Sequence, residues 1–498
     1  MDLRAHAGQL VRDLAGRIGT SSYDVAWMAR IRADGGDGAR WPDLVDWLVE
    51  HQWPDGSWGG TIPYYHDRTL CTLTAIIGLR EQNISVATSR AIQRGEQYIW
   101  SHLHLLNHDP VELVGFELML PTLLARARVL GLDVPGHSYG YGEIRAAKLR
   151  LLPVDMFYMP GTSVSFSIEF LGAQGDHSRL FQLQGPHGAV ANSPATTAYL
   201  MLQAGGNDSA LMYLENMKSR PGGIPAFHPF RTFEAAWVLE HLAFGGMSFS
   251  AGELKHLPAW EWLCSGLNEQ GAGIDPLFGI CDGDTTSVTI YILLLNGQSV
   301  EPGILHRFED PQARIFRTFE FERNASVVTN AHALQVLSLM PDYPDRSEVW
   351  SRIVTMLLAS QRCRSFWVDK WHASPYYATA HVLVALINGQ EPLLSECQHS
   401  IDWLLHTQRA DGSWGYFGRG TFEETAYAVL TLLHYHRQVK TISVEVLRRA
   451  GEYLRPMIHD TQVEYPELWI AKTLYTPESI VRAAILAAAM LYEETLGW

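Results

Sequence analysis

The chain has 498 residues, 47% of them hydrophobic and 18% charged, so it is long enough for two or three compact domains and too apolar to be disordered. Its formal net charge of −15 comes without a polybasic run, which argues against nucleic acid and anionic membranes as partners. The five cysteines are far apart and form no Cys-x-x-Cys pair, which predicts a reducing compartment and no structural zinc. We therefore expect a cytoplasmic protein.

The first predicted element is an amphipathic helix within residues 1–18, with Leu3, Leu10 and Leu14 on its apolar side. It lacks the apolar core of a signal peptide. Near the other end, the longest apolar stretch, residues 483–491, is far shorter than the ~20 residues that a bilayer span requires. No stable insertion into a membrane is expected.

Apolar residues spaced i, i+3, i+4, i+7 form helical stripes that recur at a period near 46 residues. Clear stripes start at Val288, Ala333, Ala380 and Ala426, and looser ones at Leu73, Phe116, Val164, Ala198, Phe233 and Ala483. This period fits two helices with their connections, so the sequence predicts two sets of about five helical hairpins. Each set can close into an α-barrel, and the glycine-rich stretch between the stripes at Phe233 and Val288 marks the boundary.

A second repeat is closer in sequence: VDWLVEHQWPDGSWG at residues 45–59 returns as IDWLLHTQRADGSWG at residues 401–415. In each copy a helix leads into an Asp-Gly-Ser turn and then into a Trp. Gln52 and Gln408 can bond backbone groups left unpaired at the helix ends, so the repeat is interpreted as a staple between consecutive hairpins. Carbohydrate binding by Trp58 and Trp414 is the alternative.

The segment Asp282-Gly-Asp284-Thr285-Thr286 stands just before the stripe that starts at Val288, which places two carboxylates at a helix N-terminus. By itself this pattern is typical of an N-cap or a metal ligand, and an N-cap contributes ~1 kcal/mol. Catalysis is the second interpretation of the motif alone.

Together with the two Gln-to-Trp repeats, this acid motif resembles that of the class II terpene cyclases. Three further segments resemble the diterpene cyclases of that family, SSYDVAW at 21–27, VGFE with PTLL at 114–124, and LWIAKTLY at 468–475. The resemblance implies an all-α fold of two α-barrels (α/α toroids), called β and γ. It places the inserted γ domain at residues 19–255 and the β domain at residues 1–18 and 256–498, with the active site between them.

The chemistry implied by this resemblance is protonation of the terminal alkene of geranylgeranyl diphosphate, followed by closure of two rings. The product is a bicyclic diterpenyl diphosphate of the labdane, halimadane or clerodane type. By the family pattern Asp284 donates the proton and Asp282 assists it, while burial keeps the acid protonated. Asn330, one period after Asp284, either orients the acid or satisfies a backbone group.

A carbocation needs a lining that stabilises positive charge without attacking it, and aromatic faces provide this. Candidate residues for such a lining are Trp367, Trp371, Tyr376 and Tyr377, with Trp237 and Tyr427. Packing in the helical core is the alternative for each of them. His372 and His381 are candidates for the final proton acceptor, although ordinary core histidines would look the same.

The diphosphate end of such a substrate calls for cations. By resemblance Lys148 and Lys472 can reach the diphosphate, and Glu117 and Asp24 are candidate ligands of a Mg²⁺ cofactor. Each of the four can instead belong to an ordinary ion pair. The chain has no Asp-Asp-x-x-Asp run of the kind that ionises a diphosphate, so the product is expected to keep it and to pass to a class I diterpene synthase or a phosphatase.

Three alternatives remain open at this stage. A triterpene cyclase of the squalene–hopene type shares the acid motif, but its longer chain and membrane-docking segment have no counterpart here. A barrel similar to the protein prenyltransferase β subunit would need an Asp, Cys and His zinc set. A helical-repeat binding scaffold would use the acidic motif only as a cap.

Overall fold

A computed structural model describes residues 2–498 apart from residues 37, 83–84, 221–222, 250, 321, 323, 390–391, 440–441, 459 and 461–462. The α-helices are α1 Leu3–Arg12, α2 Ser22–Ala29, α3 Pro42–Glu50, α4 Tyr65–Arg80, α5 Val86–His102, α6 Phe116–Val129, α7 Tyr141–Leu151, α8 Pro194–Ala204, α9 Asp208–Lys218, α10 Arg231–Phe244, α11 Ala251–Leu254, α12 Pro258–Gly266, α13 Gly283–Leu295, α14 Pro302–His306, α15 Val327–Leu339, α16 Arg346–Ala359, α17 Pro375–Ile387, α18 Leu394–Thr407, α19 Phe422–Val439, α20 Val444–Leu454 and α21 Glu478–Leu496. Short 3-10 segments span Leu103–His108, Val154–Tyr158, Ser163–Leu171, His177–Leu183 and Arg455–Ile458. The strands are β1 Leu267–Asn268, β2 Gly271–Ala272, β3 Trp469–Ile470 and β4 Leu474–Tyr475, paired antiparallel as β1–β2 and β3–β4.

Six long helices close a ring in the C-terminal part of the chain, which we call the C-terminal ring. Helices α10, α13, α15, α17 and α19 contact one another in that order, and α21 contacts both α19 and α10. These helices are apolar on nearly every side, and α17 is buried at all of its residues. A helix that is apolar all round belongs inside a protein, and outer helices such as α12, α16, α18 and α20 cover the ring.

A second ring, the N-terminal ring, is built from α2, α4, α6, the segment Ser163–Leu171 and α8, which contact one another in this order and close between α8 and α2. Each ring has its own cluster of buried apolar side chains. The prediction of an all-α fold with two α-barrels is confirmed.

The stripe that starts at Phe233 does not join the ring expected for it. It lies on α10, which packs against α12, α13 and α21 in the C-terminal ring. The boundary at residue 255 stays a prediction, and this packing favours a division near residue 225.

The two copies of the Gln-to-Trp repeat make the same hydrogen bonds. The side-chain amides of Gln52 and Gln408 donate to a carbonyl of the tight turn and to one of the next outer helix, at 2.9–3.0 Å. The indoles of Trp58 and Trp414 donate to a carbonyl near the end of the preceding helix, at 2.7 and 2.8 Å. Both Trp side chains are 0% exposed, so they staple consecutive hairpins and have no face for a carbohydrate.

The hairpin of β3 and β4 lies between the two rings. Its residues alternate between the two apolar clusters, with Trp469 in the C-terminal cluster and Ile470 in the N-terminal one. The carboxylate of Asp67 on α4 accepts a hydrogen bond from the Leu474 amide at 2.9 Å, and the Val114 amide donates to Ala471 at 3.0 Å. The hairpin therefore joins the N-terminal ring to the C-terminal one.

Helix α1 lies on the outside of the C-terminal ring, against α21 and α10. The amide of Gly16 donates to the carboxylate of Glu234 on α10 at 2.9 Å, which holds the segment after α1 in place. Within the described part of the chain, none of the helices combines the length with the apolar character that crossing a membrane requires.

Candidate active site

The acid motif forms the start of α13. Asp282 is the N-cap, and its Oδ1 accepts the Thr285 amide at 2.6 Å. The next residue, Gly283, has no room for a side chain, because a Cβ at this position would lie 2.2 Å from the carbonyl oxygen of Arg317. Burial raises the pKa of Asp282 to about 7, against the lowering effect of the Thr285 amide, and the charge of Asp284 adds to the rise. Asp282 thus caps the helix and is also a carboxyl group that is easily protonated.

Asp284, in the first turn of α13, meets a histidine of the neighbouring helix α15. Its Oδ1 lies 2.7 Å from Nδ1 of His332. The Asp284 side chain keeps 9% of its surface accessible whereas that of His332 is 0% exposed. The Asp284 carboxyl group therefore keeps a small accessible surface, whereas its partner His332 has none.

Behind His332 a string of polar side chains crosses the C-terminal ring. Nε2 of His332 is 2.9 Å from Nδ1 of His381 on α17, and Nε2 of His381 is 3.5 Å from Nε2 of His241 on α10. Nδ1 of His241 donates to the carbonyl of Ile480 at 3.3 Å. Glu240, beside His241, lies 3.5 Å from Nε2 of His332 and is fully buried. The ring thus holds an acid, a base and a second carboxyl group in contact.

In the described part of the chain Asn330 makes no hydrogen bond to Asp284, and its side chain bonds backbone groups instead. The amide group of Asn330 accepts from the Phe316 amide at 2.8 Å and donates to the carbonyls of Phe316 at 2.9 Å and Ser326 at 2.8 Å. Of the two roles expected for Asn330, its contacts match the satisfaction of backbone groups. The residue that meets the acid is His332, two positions further along.

Sequence reasoning missed His332 for a geometric reason. A period of 46 residues leads from Asp284 to Asn330, but the period does not give the rotation of α15 about its own axis. The available signal was the segment Val-Thr-Asn-Ala-His itself, which carries a histidine within one turn of the expected position. A histidine that close to a candidate acid is worth testing as its partner.

The four candidate aromatic residues have different environments. Tyr377 points into the C-terminal ring: its hydroxyl accepts from the indole of Trp237 at 2.9 Å, and its ring lies 4.9 Å from that of Trp469 and 5.4 Å from that of Tyr427. These four buried residues, Trp237, Tyr377, Tyr427 and Trp469, are called the aromatic cluster. The carboxyl groups of Asp284 and Glu240 help burial to raise the pKa of Tyr377, so the cluster is close to the acid.

The other three candidates lie elsewhere. Trp367 is a third staple, because its indole donates to the Leu357 carbonyl at 2.6 Å as in the two repeats. Tyr376 stacks on Trp403 of the outer helix α18, with 4.8 Å between ring centroids. Trp371 is half-buried against Phe319, 5.9 Å away. The structure does not support a place in the cavity lining for Trp367 or Tyr376, because each faces an outer helix.

The two candidate proton acceptors differ as well. His381 belongs to the string behind His332. His372 faces Glu423, with 3.2 Å between Nε2 and Oε1, and it stacks on Tyr377 at 4.5 Å between centroids. The same carboxyl oxygen accepts the indole N–H of Trp469 at 2.8 Å. His372 and Glu423 therefore form an ion pair or hydrogen bond at the edge of the aromatic cluster.

Lys472 lies in the turn of the β3–β4 hairpin and points into the N-terminal ring. Its ammonium group donates to Glu169 at 2.6 Å, Ser193 at 2.8 Å and Thr196 at 3.0 Å, and it is 1% exposed. All three of its protons have protein acceptors. The structure does not support the expected diphosphate role of Lys472, because no donor is left for a ligand.

Asp24 is also enclosed. Its Oδ1 accepts the Ala195 amide at 2.9 Å, and it is 1% exposed. Burial raises the pKa of Asp24 to about 7, against the lowering effect of the nearby Lys472 charge. Mg²⁺ keeps several water molecules in its coordination shell. Oδ2 of Asp24 is buried without a hydrogen-bond partner among the described residues, so the role as a Mg²⁺ ligand stays a prediction, although so enclosed a carboxyl group does not suit a hydrated ion.

Lys148 and Glu117 form an ion pair between α7 and α6. The Lys148 side chain is 39% exposed and that of Glu117 11%, so both can exchange partners with a ligand. Arg145, one turn before Lys148, has a buried Nε without a hydrogen-bond partner in the described structure. Glu117 fits a Mg²⁺ ion that is bound mainly through phosphate oxygens. Lys148, Glu117 and Arg145 together form a group suited to an anion.

Several known proteins are similar to this chain over most of its length. A model of the squalene-hopene cyclase C-terminal domain matches residues 321–454. The type B diterpene cyclase of Mycobacterium tuberculosis is 35% identical over 97% of this chain and 97% of its own, and the ent-copalyl diphosphate synthase of Streptomyces sp. is 31% identical over 96% and 93%. The solved structure of the ent-copalyl diphosphate synthase from Streptomyces platensis matches this structure with a TM-score of 0.78 and 29% identity, over 98% of each chain.

These matches extend over both rings and include relatives above 30% identity that cover almost the entire chain. The solved structure repeats the architecture of two helical barrels over the same length. The resemblance seen in the acid motif and the three further segments is therefore confirmed. The chain belongs to the class II diterpene cyclases, the family of the bacterial diterpene cyclases and copalyl diphosphate synthases.

Proposed function

We propose that this diterpene cyclase converts geranylgeranyl diphosphate to a bicyclic diterpenyl diphosphate by protonating its terminal alkene. The observation that carries the proposal is the contact of 2.7 Å between Asp284 and His332, beside the buried aromatic cluster. The names of the relatives support the diterpenyl substrate and the retained diphosphate. The skeleton of the product, labdane, halimadane or clerodane, follows from the shape of the cavity.

An alkene is a very weak base, so Asp284 must keep its proton available for the alkene and must not lose it to its hydrogen-bond partner His332. When His332 is an imidazolium ion, its Nδ1–H donates to Oδ1 of Asp284, and the acid proton resides on Oδ2. The alkene π electrons then take this proton, and the electrons of the O–H bond stay on Asp284. The new carboxylate is stabilised by the His332 charge, which favours the transfer.

The tertiary carbocations that follow need negative potential without a nucleophile. The faces of Trp237, Tyr377, Tyr427 and Trp469 offer this, with ~0.5–2 kcal/mol for each contact with a cation. Loss of a proton from the bicyclic cation ends the reaction. We propose the pair of His372 and Glu423 as the group that accepts it, since this pair lies at the edge of the aromatic cluster.

The diphosphate is proposed to bind at the group of Lys148, Arg145 and Glu117. The exposure of Lys148 and the unpartnered Nε of Arg145 support this position. Glu117 would hold Mg²⁺ there together with phosphate oxygens, and the ion would supply positive charge against the net charge of −15. Since the sequence has no Asp-Asp-x-x-Asp run, the C–O bond to the diphosphate stays intact.

The experiment is incubation with geranylgeranyl diphosphate and Mg²⁺, followed by dephosphorylation and gas chromatography with mass spectrometry. A bicyclic alcohol is expected, and recovery of only the linear alcohol contradicts the proposal. Replacing Asp284 with Asn is expected to lower turnover at least ~100-fold, the usual minimum effect of a general acid, while the helical circular dichroism stays the same. An active Asp284→Asn variant would show that another group is the acid.

Three broader points extend the proposal. The N-terminal ring is taken as the γ domain and the C-terminal ring with α1 as the β domain. The retained diphosphate suits a downstream class I diterpene synthase or phosphatase. A cytoplasmic location is consistent with the five cysteines, none of which forms a disulfide.

A further inference from the structure

We propose that Glu240, with His381 and His241, is a positioning group that keeps His332 protonated on both ring nitrogens, so that Asp284 can act as the acid. This inference rests on the function proposed above and adds residues that the acid motif does not contain. It is carried by the order of donors and acceptors along the string and by the position of a buried carboxylate.

The string has only one arrangement of protons when His381 and His241 are neutral. The Ile480 carbonyl can only accept, so Nδ1 of His241 carries a proton and its Nε2 accepts. Nε2 of His381 then donates to His241, which leaves Nδ1 of His381 as an acceptor. Nε2 of His332 must donate to that nitrogen. Exchange of a proton with Asp284 is thereby confined to Nδ1 of His332.

Both flanking histidines are suited to the neutral form. Burial lowers the pKa of His241 to about 3, partly offset by its hydrogen bond to Ile480. Burial also lowers the pKa of His381 far below its ordinary value, and the positive charge of His332 lowers it further. Neither histidine competes with His332 for the proton, so a charge on the string resides on His332.

Glu240 supplies the charge that balances this imidazolium ion. Neither of its carboxyl oxygens has a hydrogen-bond partner among the described residues, although the side chain is 0% exposed. Oε1 lies 3.5 Å from Nε2 of His332, and Oε2 lies 3.9 Å from Nδ1 of His381. A buried carboxylate without hydrogen bonds is costly unless an opposite charge is close, and His332 is that charge.

The other groups that face His332 act in the same direction or are neutral. Asp284 reaches it from α13, Glu240 and His241 from α10, His381 from α17, and Asp369 from the loop before α17. Burial lowers the pKa of His332, but the charges of Glu240 and Asp284 outweigh this effect and raise the pKa to about 9. Once Asp284 is protonated its charge no longer contributes, so Glu240 is the carboxylate that remains against His332, and the two leave the site with no net charge.

Without Glu240, His332 would lose its second proton at a lower pH. A neutral His332 would then present a lone pair at Nδ1 and take the Asp284 proton into their hydrogen bond, so no proton would be left for the alkene. Replacing Glu240 with Gln is therefore expected to move the alkaline limb of the kcat profile by at least about one pH unit towards lower pH, because a nearby opposite charge shifts a pKa by ~1–3 units. At pH 8.5 kcat should fall at least about tenfold, with KM within about twofold.

Two variants control for structural effects. Glu240→Asp keeps the charge and is expected to restore the alkaline limb. Glu234→Gln neutralises another buried carboxyl group of α10, one that bonds Gly16 and no histidine, and should leave the pH profile unchanged. A Glu240→Gln enzyme with the native pH profile, changed only in thermal stability or KM, would overturn the proposal.

A readout without substrate separates this inference from the proposed function. In protein labelled with ¹⁵N at the histidine rings, the signal missing from a His332→Gln variant belongs to His332. Its titration is expected well above pH 7 in the native protein and at least about one unit lower in Glu240→Gln, whether or not the enzyme turns over. Equal titration in both proteins contradicts the role of Glu240 even if cyclisation occurs.

A final measurement tests the string itself. Glu240, His241 and His381 lie close enough to ligate a metal ion. A bound metal would occupy the nitrogens to which the string assigns hydrogen bonds. Elemental analysis of the purified protein is expected to find less than about 0.1 equivalent of zinc, iron, manganese, cobalt, nickel or copper, and one equivalent of any of these would overturn the proposal.

Discussion

A single hydrogen bond governs the acid at the residue scale. Oδ1 of Asp284 lies 2.7 Å from Nδ1 of His332, and the Asp284 side chain keeps 9% of its surface accessible. Asp282 caps the start of this helix, where its Oδ1 accepts the Thr285 amide at 2.6 Å. One of the free amides of the first turn is thereby satisfied.

Replacing His332 with Gln tests this arrangement. Gln can still donate a hydrogen bond to Asp284, but it carries no charge, so it does not stabilise the carboxylate formed when the alkene is protonated. We expect kcat to fall about 100-fold or more, in the range typical of lost acid–base assistance, with little change in KM. Steady-state kinetics with geranylgeranyl diphosphate provides the measurement.

Asn330→Ala is the comparison variant for His332→Gln. It leaves the backbone groups of Phe316 and Ser326 without their partner, which costs about 1–3 kcal/mol of unfolding free energy for each buried group left unpaired. Its folded fraction should turn over within about tenfold of the native rate. If instead Asn330→Ala loses turnover as His332→Gln does, without loss of stability, Asn330 orients the acid.

How far the site could be predicted differs from residue to residue. Asp284 was identifiable because a short motif fixes its place at a helix start. His332 and Glu240 were not, because His332 meets Asp284 from α15 and Glu240 meets His332 from α10, and the approach of three helices depends on how each is rotated in the ring. Lys472 was expected at the diphosphate because it resembles a basic position of the family, but its acceptors come from the other ring and no local pattern reveals them.

At the scale of elements, the staples explain why the hairpins keep their spacing. Each buried Trp fills the gap between two helices and satisfies a carbonyl at a helix end, where the backbone has no partner of its own. Trp367 repeats the bond of Trp58 and Trp414 although its turn lacks the Asp-Gly-Ser sequence. The motif was recognisable in two copies, whereas the third is visible only from its contacts.

Replacing Trp367 with Phe is expected to lower stability and to leave the product unchanged. The Leu357 carbonyl loses its donor and the smaller ring leaves a void, which together cost about 2–4 kcal/mol. Urea denaturation measures the first effect, and the ratio of bicyclic products measures the second. An altered product ratio at native stability would mean that Trp367 lines the cavity after all.

The inner helices of the C-terminal ring were predictable as elements because each is apolar over three or more turns. Their assignment to a ring was not, as α10 shows. Its stripe follows the N-terminal stripes in sequence, yet its long apolar faces pack against α21 and α13. Apolar periodicity indicates that a helix is buried. The helices against which it packs are decided only when the ring closes.

On the scale of the whole molecule, the chain crosses between the rings more than once. It begins at α1 on the outside of the C-terminal ring, builds the N-terminal ring, returns at α10, and crosses again at the β3–β4 hairpin. Glu169 and Lys472 form a buried ion pair at this crossing. Separating the rings would leave each charge without its partner, which is costly. The two rings are therefore expected to unfold together, in one transition.

Removing residues 2–18 tests how far the C-terminal ring depends on the start of the chain. Leu3, Val11 and Ile18 are buried against this ring, and burial of such side chains contributes ~1.5–3 kcal/mol each, or about 5–9 kcal/mol in all. The whole stability of a domain is typically ~5–15 kcal/mol. A chain of residues 19–498 should thus be poorly folded by circular dichroism, and co-expression of residues 1–18 should partly restore it. Native thermal stability of the shortened chain would show that α1 is not part of the ring's cover.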